Sequence, residues 1–443
     1  MKLCLSVALG FIFLTSASLA GLAQGKSPRA GYVIVPGTNI EHPWDIGVRA
    51  HTNYLIFVPA AKPTAPGPQG ETPGSLACIY GLVSPPSGTT GFDCPISSAT
   101  TPPSGGSGVI AIVDAYYYPT ASADFNTFSD EFHLPSGSTC GTGSSEPCFA
   151  QVFATGVQPK TNAGWALEQA LDMEWAHAMA PDAQIVLVEA ASSSLTDLLT
   201  AVGVASNYVV CGAASCPSGG NGKGEVSMSW GGSEFSGETS LDSDFTTANV
   251  VCTAASGDSG GTVIWPSASP NVVSSGGTTI NRGSNGGFTS ETAWSDSGGG
   301  DSAYELVPGY QSSVKSVSAL VGKFRGTPDF SFDANPASGV SVYDSTPYHG
   351  QSGWLVVGGT SVSAQALAGI INLAGSFASS TDSELTTIYN AYNSTSYSSD
   401  FTDITTGQTS GCKGHHVTST CFHALTGWDF MTGVGSDLGT SGK

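Results

Sequence analysis

Cationic side chains are scarce in this sequence: 13 lysines and arginines stand against 34 aspartates and glutamates, giving a formal charge of −21 and a pI near 4.4. So acidic a surface repels nucleic acid and anionic lipid, which argues against either as a partner. Charge of both signs together is only 11% of the residues, while glycine, serine and threonine abound. Much of the polar surface therefore does not depend on ionisation, which suits ordinary solubility or tolerance of acid, where a carboxylate-dependent surface fails. Past the N-terminus no apolar run approaches the roughly 20 residues of a membrane-spanning helix. No cysteine spacing makes a zinc site, no repeat of about 20 to 50 residues is evident, and the tripeptide His-Gly-Thr does not occur.

What is present begins with "MKLCLSVALGFIFLTSASLAGLAQG": one lysine, a short apolar run, then small residues, with Ala20 or Ala23 as cleavage positions. This predicts a secretory signal peptide over residues 1–23, hence a secreted, soluble protein, expected to be a monomer. Cysteine usage agrees with export. With Cys4 removed, proximity pairs Cys78 with Cys94, Cys140 with Cys148, Cys211 with Cys216 and Cys412 with Cys421. Cys252, inside the strand-like "NVVCTAASGD", is left as a buried free thiol. Residues 24–77, with "PAAKPTAPGPQGETPGS", read as a Pro/Gly-rich leader and linker; the main domain is expected over 78–443.

Within that domain "GVIAIVDA" (108–115), "AQIVLVEA" (183–190), "EVSMSW" (225–230) and "ANVVCTAAS" (248–256) are apolar runs of strand length. Segments of helical period, 164–180 and 194–207, lie between them. Strands buried on both faces and alternating with helices predict an α/β fold, a doubly wound, mostly parallel sheet with helices on both faces. In such sheets the working groups gather beyond the carboxyl ends of the strands. Asp114, Trp230 and Asp258 sit at or just after three of those ends.

The helix "GWALEQALDMEWAHAMAPDA" (164–183) carries Glu168 and Asp172, four apart and so about 40° from one another on the helical wheel. His177 lies about 180° from Glu168 and Glu174 about 240°, so neither joins the pair. Leu171, Trp175 and Ala178 form an apolar stripe, and Asp182 follows Pro181, where the helix ends. An acidic pair at this spacing suits a solvated face as well as catalysis. Downstream, "GWLVVGGTSVSAQALAGIINLAG" (353–375) runs from an apolar strand through two glycines to Ser361 at a helix start. Glycines permit the tight turn, and the positive helix end favours developing negative charge on a serine. Such a serine is a helix cap or, given a base, a nucleophile.

Jointly these residues resemble a family, the sedolisins or serine-carboxyl peptidases, subtilisin-like in fold and active in acid. The resemblance runs from about Ala77 to the end of the sequence. "LEQALDME" matches the family's Glu and Asp at Glu168 and Asp172, "SGDSG" its oxyanion aspartate at Asp258, and "GGTS" its nucleophile at Ser361. It implies that Glu168 is the general base for Ser361, that Asp172 orients it and shares its proton, and that protonated Asp258 donates to the oxyanion. Glutamate suits this because histidine is almost wholly protonated in strong acid. Asp114 and Trp230 are implied as supports of the acidic pair. "DIT" (403–405) and "GWDFMTGVG" (427–435) resemble the family's calcium site, which implies Asp403 and Asp429 side chains and Ile404 and Gly427 carbonyls as oxygen ligands.

The chain departs from the family at Leu425 and Gln365, where glycine and proline are usual, and in a leader too short for the family's folded propeptide. The insert "SGCKGHHVTSTCFHA" offers a histidine cluster for a transition metal as a rival to calcium. The expected function is a secreted, acid-active endopeptidase acting on protein or peptide substrates. A true subtilisin is the alternative, disfavoured by the missing His-Gly-Thr. So is a non-catalytic binding protein, against which the intact Glu168, Asp172, Asp258 and Ser361 argue.

Overall fold

Seven strands lie side by side and parallel in the computed structural model. In spatial order they are Cys148–Phe153, Gln184–Ala190, Val109–Ala115, Gly224–Met228, Val250–Ala255, Val273–Arg282 and Phe330–Asp333. Ser436–Asp437 and Phe401–Thr402 extend one edge, and Phe288–Ala293 pairs antiparallel with Val273–Arg282. The described residues are 30–60, 67–86, 93–97, 101–136, 139–140, 147–216, 220–412 and 419–443, so the expected signal peptide lies outside them.

The apolar runs of the sequence are continuous because both faces of this sheet are covered. In Val109–Ala115 alternate side chains enter different cores. Ile110 and Ile112 pack with Leu167, Leu171 and Leu367, whereas Ala111 and Val113 pack with Leu198, Ala201 and Val202. The helices Ala163–Met179 (the acid helix) and Thr360–Ala374 (the serine helix) thus lie on one face, and Leu195–Cys211 on the other. Asp114 is in phase with Ile110 and Ile112, so it faces the acid helix. This is the expected doubly wound α/β architecture.

The acid helix starts where the Asn162 side chain accepts from the N–H groups of Gly164 and Trp165 (3.0 and 3.3 Å), and it stops before Pro181. Every residue from Gly164 to Met179 is buried, so the stripe seen in the sequence is one of several apolar faces and the acidic pair is not solvated. The serine helix crosses it closely because Gly369 carries no Cβ, which would stand 2.6 Å from that of Met179.

Within the segment expected as leader and linker, residues from Ala30 onward contribute strands and a helix. Gly31–Ile34 and Leu55–Pro59 pair with each other, and Leu55–Pro59 pairs with Gln351–Gly358, in a four-stranded antiparallel sheet completed by Val340–Tyr348. Pro73–Ile79 is a helix capped by Thr72. The proline and glycine content that suggested a linker masks the apolar run Tyr54 to Val58, which supplies the strand. The four cysteine pairs join as expected, and Cys252 is free and buried. No helix among the described residues is long and apolar enough to cross a membrane.

Candidate active site

The residues singled out in the sequence come together at the carboxyl ends of the central strands. Ser361 is the second residue of the serine helix, and its backbone N–H donates to the Asn53 carbonyl at 3.1 Å. Its hydroxyl donates to the Ser229 carbonyl (3.3 Å) and also acts on the Glu168 carboxyl, favouring that group's charged form, while Glu168 Oε1 keeps no hydrogen-bond partner. Glu168 accepts from the Asn53 N–H (3.1 Å) through Oε2. Burial pushes its pKa well above the ordinary carboxylate range, the nearby Asp114 adds to that, and Ser361 and the Asn53 N–H pull the other way.

One turn further along, Asp172 accepts from Ser229 Oγ (2.9 Å) and from Gln365 Nε2 (2.7 Å), and Gln365 also donates to Ser229 Oγ (3.0 Å). Asp114 has no N–H or hydroxyl donor on either oxygen. Its bond is with the carboxyl of Asp172, lowering the pKa of Asp114 and raising that of Asp172, while burial pushes both upward first. After burial, Asp114 and then Glu168 push the Asp172 pKa further upward, and the Ser229 bond pulls it back. Trp230 touches none of the acids through its ring nitrogen, which donates to the Val113 carbonyl (2.9 Å) and so fixes the strand end that carries Asp114.

Asp258 follows the strand Val250–Ala255. Its Oδ1 accepts from the Thr360 N–H (2.8 Å) and hydroxyl (2.9 Å), and its Oδ2 is buried with no donor. Burial raises its pKa to about 7 against those two bonds. Gly359, at φ 110°, explains why glycine precedes the serine helix. A Cβ there would stand 2.2 Å from the Asn53 oxygen and 2.7 Å from Asp258 Oδ2, so both oxygens converge on one bare stretch of backbone.

Asn53, Ser229 and Gln365 were not marked in the sequence as parts of this site. Gln365, noted only as replacing a proline, proves to bridge the two helices. No local pattern signals Asn53, whose place depends on strand pairing far along the chain.

The expected calcium ligands also gather. Both Asp403 oxygens accept from the Gly427 N–H (3.0 and 3.1 Å), and Asp429 accepts from the N–H groups of Leu425, Met431 and Thr432 (2.7, 2.8 and 2.9 Å). Both aspartates act on the Tyr397 hydroxyl, whose pKa burial and then Asp403 push upward. Two carboxylates beside the Ile404 and Gly427 backbones make an oxygen donor set that fits a hard cation. Leu425 in place of glycine keeps its backbone against Asp429. Of the rival transition-metal cluster, His423 lies beside Cys412 and Cys421, which are joined in a disulfide, and His415 and His416 lie outside the described residues.

No protein-family model matches the chain. It is 35% identical over 185 residues to sedolisin of Pseudomonas sp. (strain 101), covering 39% of this chain and 28% of that protein. It is 31% identical over 303 residues to kumamolisin of Bacillus sp. (strain MN-32), covering 61% and 49%. The chain thus spans half or less of the length of these relatives. Among solved structures it superposes on Pseudomonas sedolisin, a serine-carboxyl proteinase in complex with pseudo-iodotyrostatin. The TM-score is 0.62 at 24% identity, over 84% of this chain and 96% of that one, and this likeness is one of fold.

Proposed function

We propose, from the premise that the chain is a relative of the sedolisins with their subtilisin-like fold, that it is a secreted, acid-active serine-carboxyl endopeptidase stabilised by calcium. The observation that carries this reading is the convergence, on the bare backbone of Gly359, of Asp258 Oδ2 and of the carbonyl held by the Ser361 N–H, with Glu168 acting on the Ser361 hydroxyl. A peptide carbonyl placed there meets a nucleophile, its base and two oxyanion donors at once.

In this reading the Ser361 oxygen adds to the carbonyl carbon while its proton passes to Glu168. The oxyanion takes hydrogen bonds from the Ser361 N–H and from protonated Asp258. The peptide C–N bond then breaks, Glu168 returns its proton to the departing amine, and water, giving a proton to Glu168, releases the acyl group. Asp172, kept protonated chiefly by burial and fixed by Ser229 and Gln365, places a neutral dipole rather than a second charge beside Glu168. Asp258 donates only below its pKa of about 7, which sets the alkaline limit. Asp403, Asp429 and the carbonyls of Ile404 and Gly427 would hold the calcium ion. Its part is to tie the last loops to the sheet edge, remote from the reacting atoms.

The direct test is hydrolysis of a denatured protein by the secreted chain and by Ser361→Ala, scanned from pH 2 to 8. The expected outcome is activity confined to acid and a loss in the variant on the order of 10⁶-fold. Equal rates in a folded variant leave the binding-protein reading in its place. A true subtilisin is disfavoured because the one histidine on the acid helix, His177, turns away to the Pro135 carbonyl at 2.8 Å.

A further inference from the structure

The chain's own strand in the cleft traces the course an extended peptide takes through the site. His51 and Thr52 pair antiparallel with Gly231 and Trp230, and the Asn53 carbonyl then accepts from the Ser361 N–H. Such pairing gives a sheet edge its hold on a peptide and leaves specificity to the pockets that receive the side chains. For a substrate on this course, the residue whose carbonyl is attacked lies between two stretches of backbone. One is the strand Trp230–Ser233, along which the peptide runs; the other is Ser256–Gly257, which leads into Asp258.

A third element closes the space between them. The strand Ile264–Trp265 pairs antiparallel with Gly232 and Ser233, on the edge of Trp230–Ser233 opposite His51 and Thr52. A Cβ on Gly231 would stand 2.5 Å from Ile264 Cδ1, and one on Gly257 would stand 3.1 Å from the same atom and 3.4 Å from Cγ1 and Cγ2. A single side chain thus lies against both glycines. Branching at Cβ leaves it few rotamers, and the next residue, Trp265, is buried against Phe235 and Phe245, which fixes the strand. Ile264 itself is only half-buried and joins none of the hydrophobic clusters found among the described residues. Its methyl groups are therefore available to the cleft rather than committed to a core.

We infer that Ile264 forms the floor of the pocket for the acyl residue and confines cleavage to bonds that follow a small side chain, such as that of alanine, serine or glycine. The inference rests on the peptidase reading above and names its specificity. A leucine or phenylalanine at that place would need the volume Ile264 holds, and in a closed apolar pocket one methylene too many lowers kcat/KM by roughly 10- to 200-fold.

The experiment measures kcat/KM in acid for internally quenched peptides identical except for the acyl residue, Ala, Leu or Phe, with the bond cut identified by mass. It compares the unaltered full chain with Ile264→Ala and Ile264→Val. The expected result is that the unaltered chain favours Ala over Phe by about 100-fold or more, and that Ile264→Ala narrows the ratio by about tenfold by accelerating the Phe peptide, with Ile264→Val between them. A variant that has merely lost structure slows all three peptides alike, and the ratio in the unaltered chain reads the pocket without any variant. Cleavage after Phe as fast as after Ala by the unaltered chain, or a ratio that folded Ile264→Ala leaves unchanged, overturns the inference and leaves the peptidase reading standing. Failure of the unaltered chain to hydrolyse any of the peptides overturns both.

Discussion

Two parts of this molecule bury acidic groups equally deeply and neutralise them in opposite ways. Around the acid and serine helices Asp114, Glu168, Asp172 and Asp258 take part in none of the ion pairs found among the described residues. Their charge is suppressed by protons, with hydroxyls and amides filling the remaining valences. Near the helix Thr381–Tyr392, Asp329 instead meets Arg325 in a fork of two bonds (2.8 and 3.1 Å), both side chains fully buried. Tyr310, Tyr389 and the N–H of Ser274 complete that cluster. A proton can be lost to solvent and a guanidinium cannot. The first region is therefore set by pH and the second is not, which suits a centre that moves protons and a scaffold that must not.

The most severe way to break this contrast is Arg325→Ala, which strands a buried carboxylate. It should cost about 3–5 kcal/mol in denaturant unfolding, at every pH where the protein folds. Asp258→Ala should leave the fold nearly unchanged yet lower kcat by about 10²- to 10³-fold. Asp258→Asn, which keeps a donor that cannot ionise, should extend activity above pH 7, and an unchanged alkaline limit would remove Asp258 from the oxyanion role.

In the proposed reading calcium would be a third neutraliser, supplied from solution to Asp403 and Asp429. At about 100 times its Kd it should add about 2.7 kcal/mol of stability, read as a Tm that falls on chelation and returns with calcium but not with sodium. A Tm indifferent to chelator denies the site.

A further effect, spread over several groups, concerns pH itself. Glu189, Glu384 and Asp258 have folded pKa values raised to about 7, chiefly by burial. Between the ordinary carboxylate pKa and these values the folded state binds more protons than the unfolded chain, so stability is fully present below about pH 4 and is lost as pH rises toward about 7. His177, depressed to about 4 by burial, works in the opposite sense and is outnumbered. Tm should decline between pH 4 and 8, and a rise over that interval would show that the acids are charged in the fold.

How far the sequence foretold this arrangement differed from element to element. The parallel strands and the acid helix were legible because burial on both faces writes a continuous apolar run, and Ser361 because two glycines and a small-residue helix surround it. The protonated state of the acids was not legible. Helical spacing gives the angle between Glu168 and Asp172 but not what lies above them, and the apolar ground around them looked like one stripe. Ser229 and Gln365 are ordinary residues until the two helices cross. The segment before Tyr54 was obscured by composition, since local proline and glycine counts say nothing of a pairing partner elsewhere in the chain.

That pairing of Leu55 with Gly358 has a kinetic consequence. Contacts between residues so distant in sequence close late, after the local ones have formed. During synthesis the acid helix and the first strands can collapse while the serine helix does not yet exist, so nucleophile and base can meet only after residue 361 has been made. The catalytic centre is thus completed late in synthesis, long after the strand that lies in its cleft has been made.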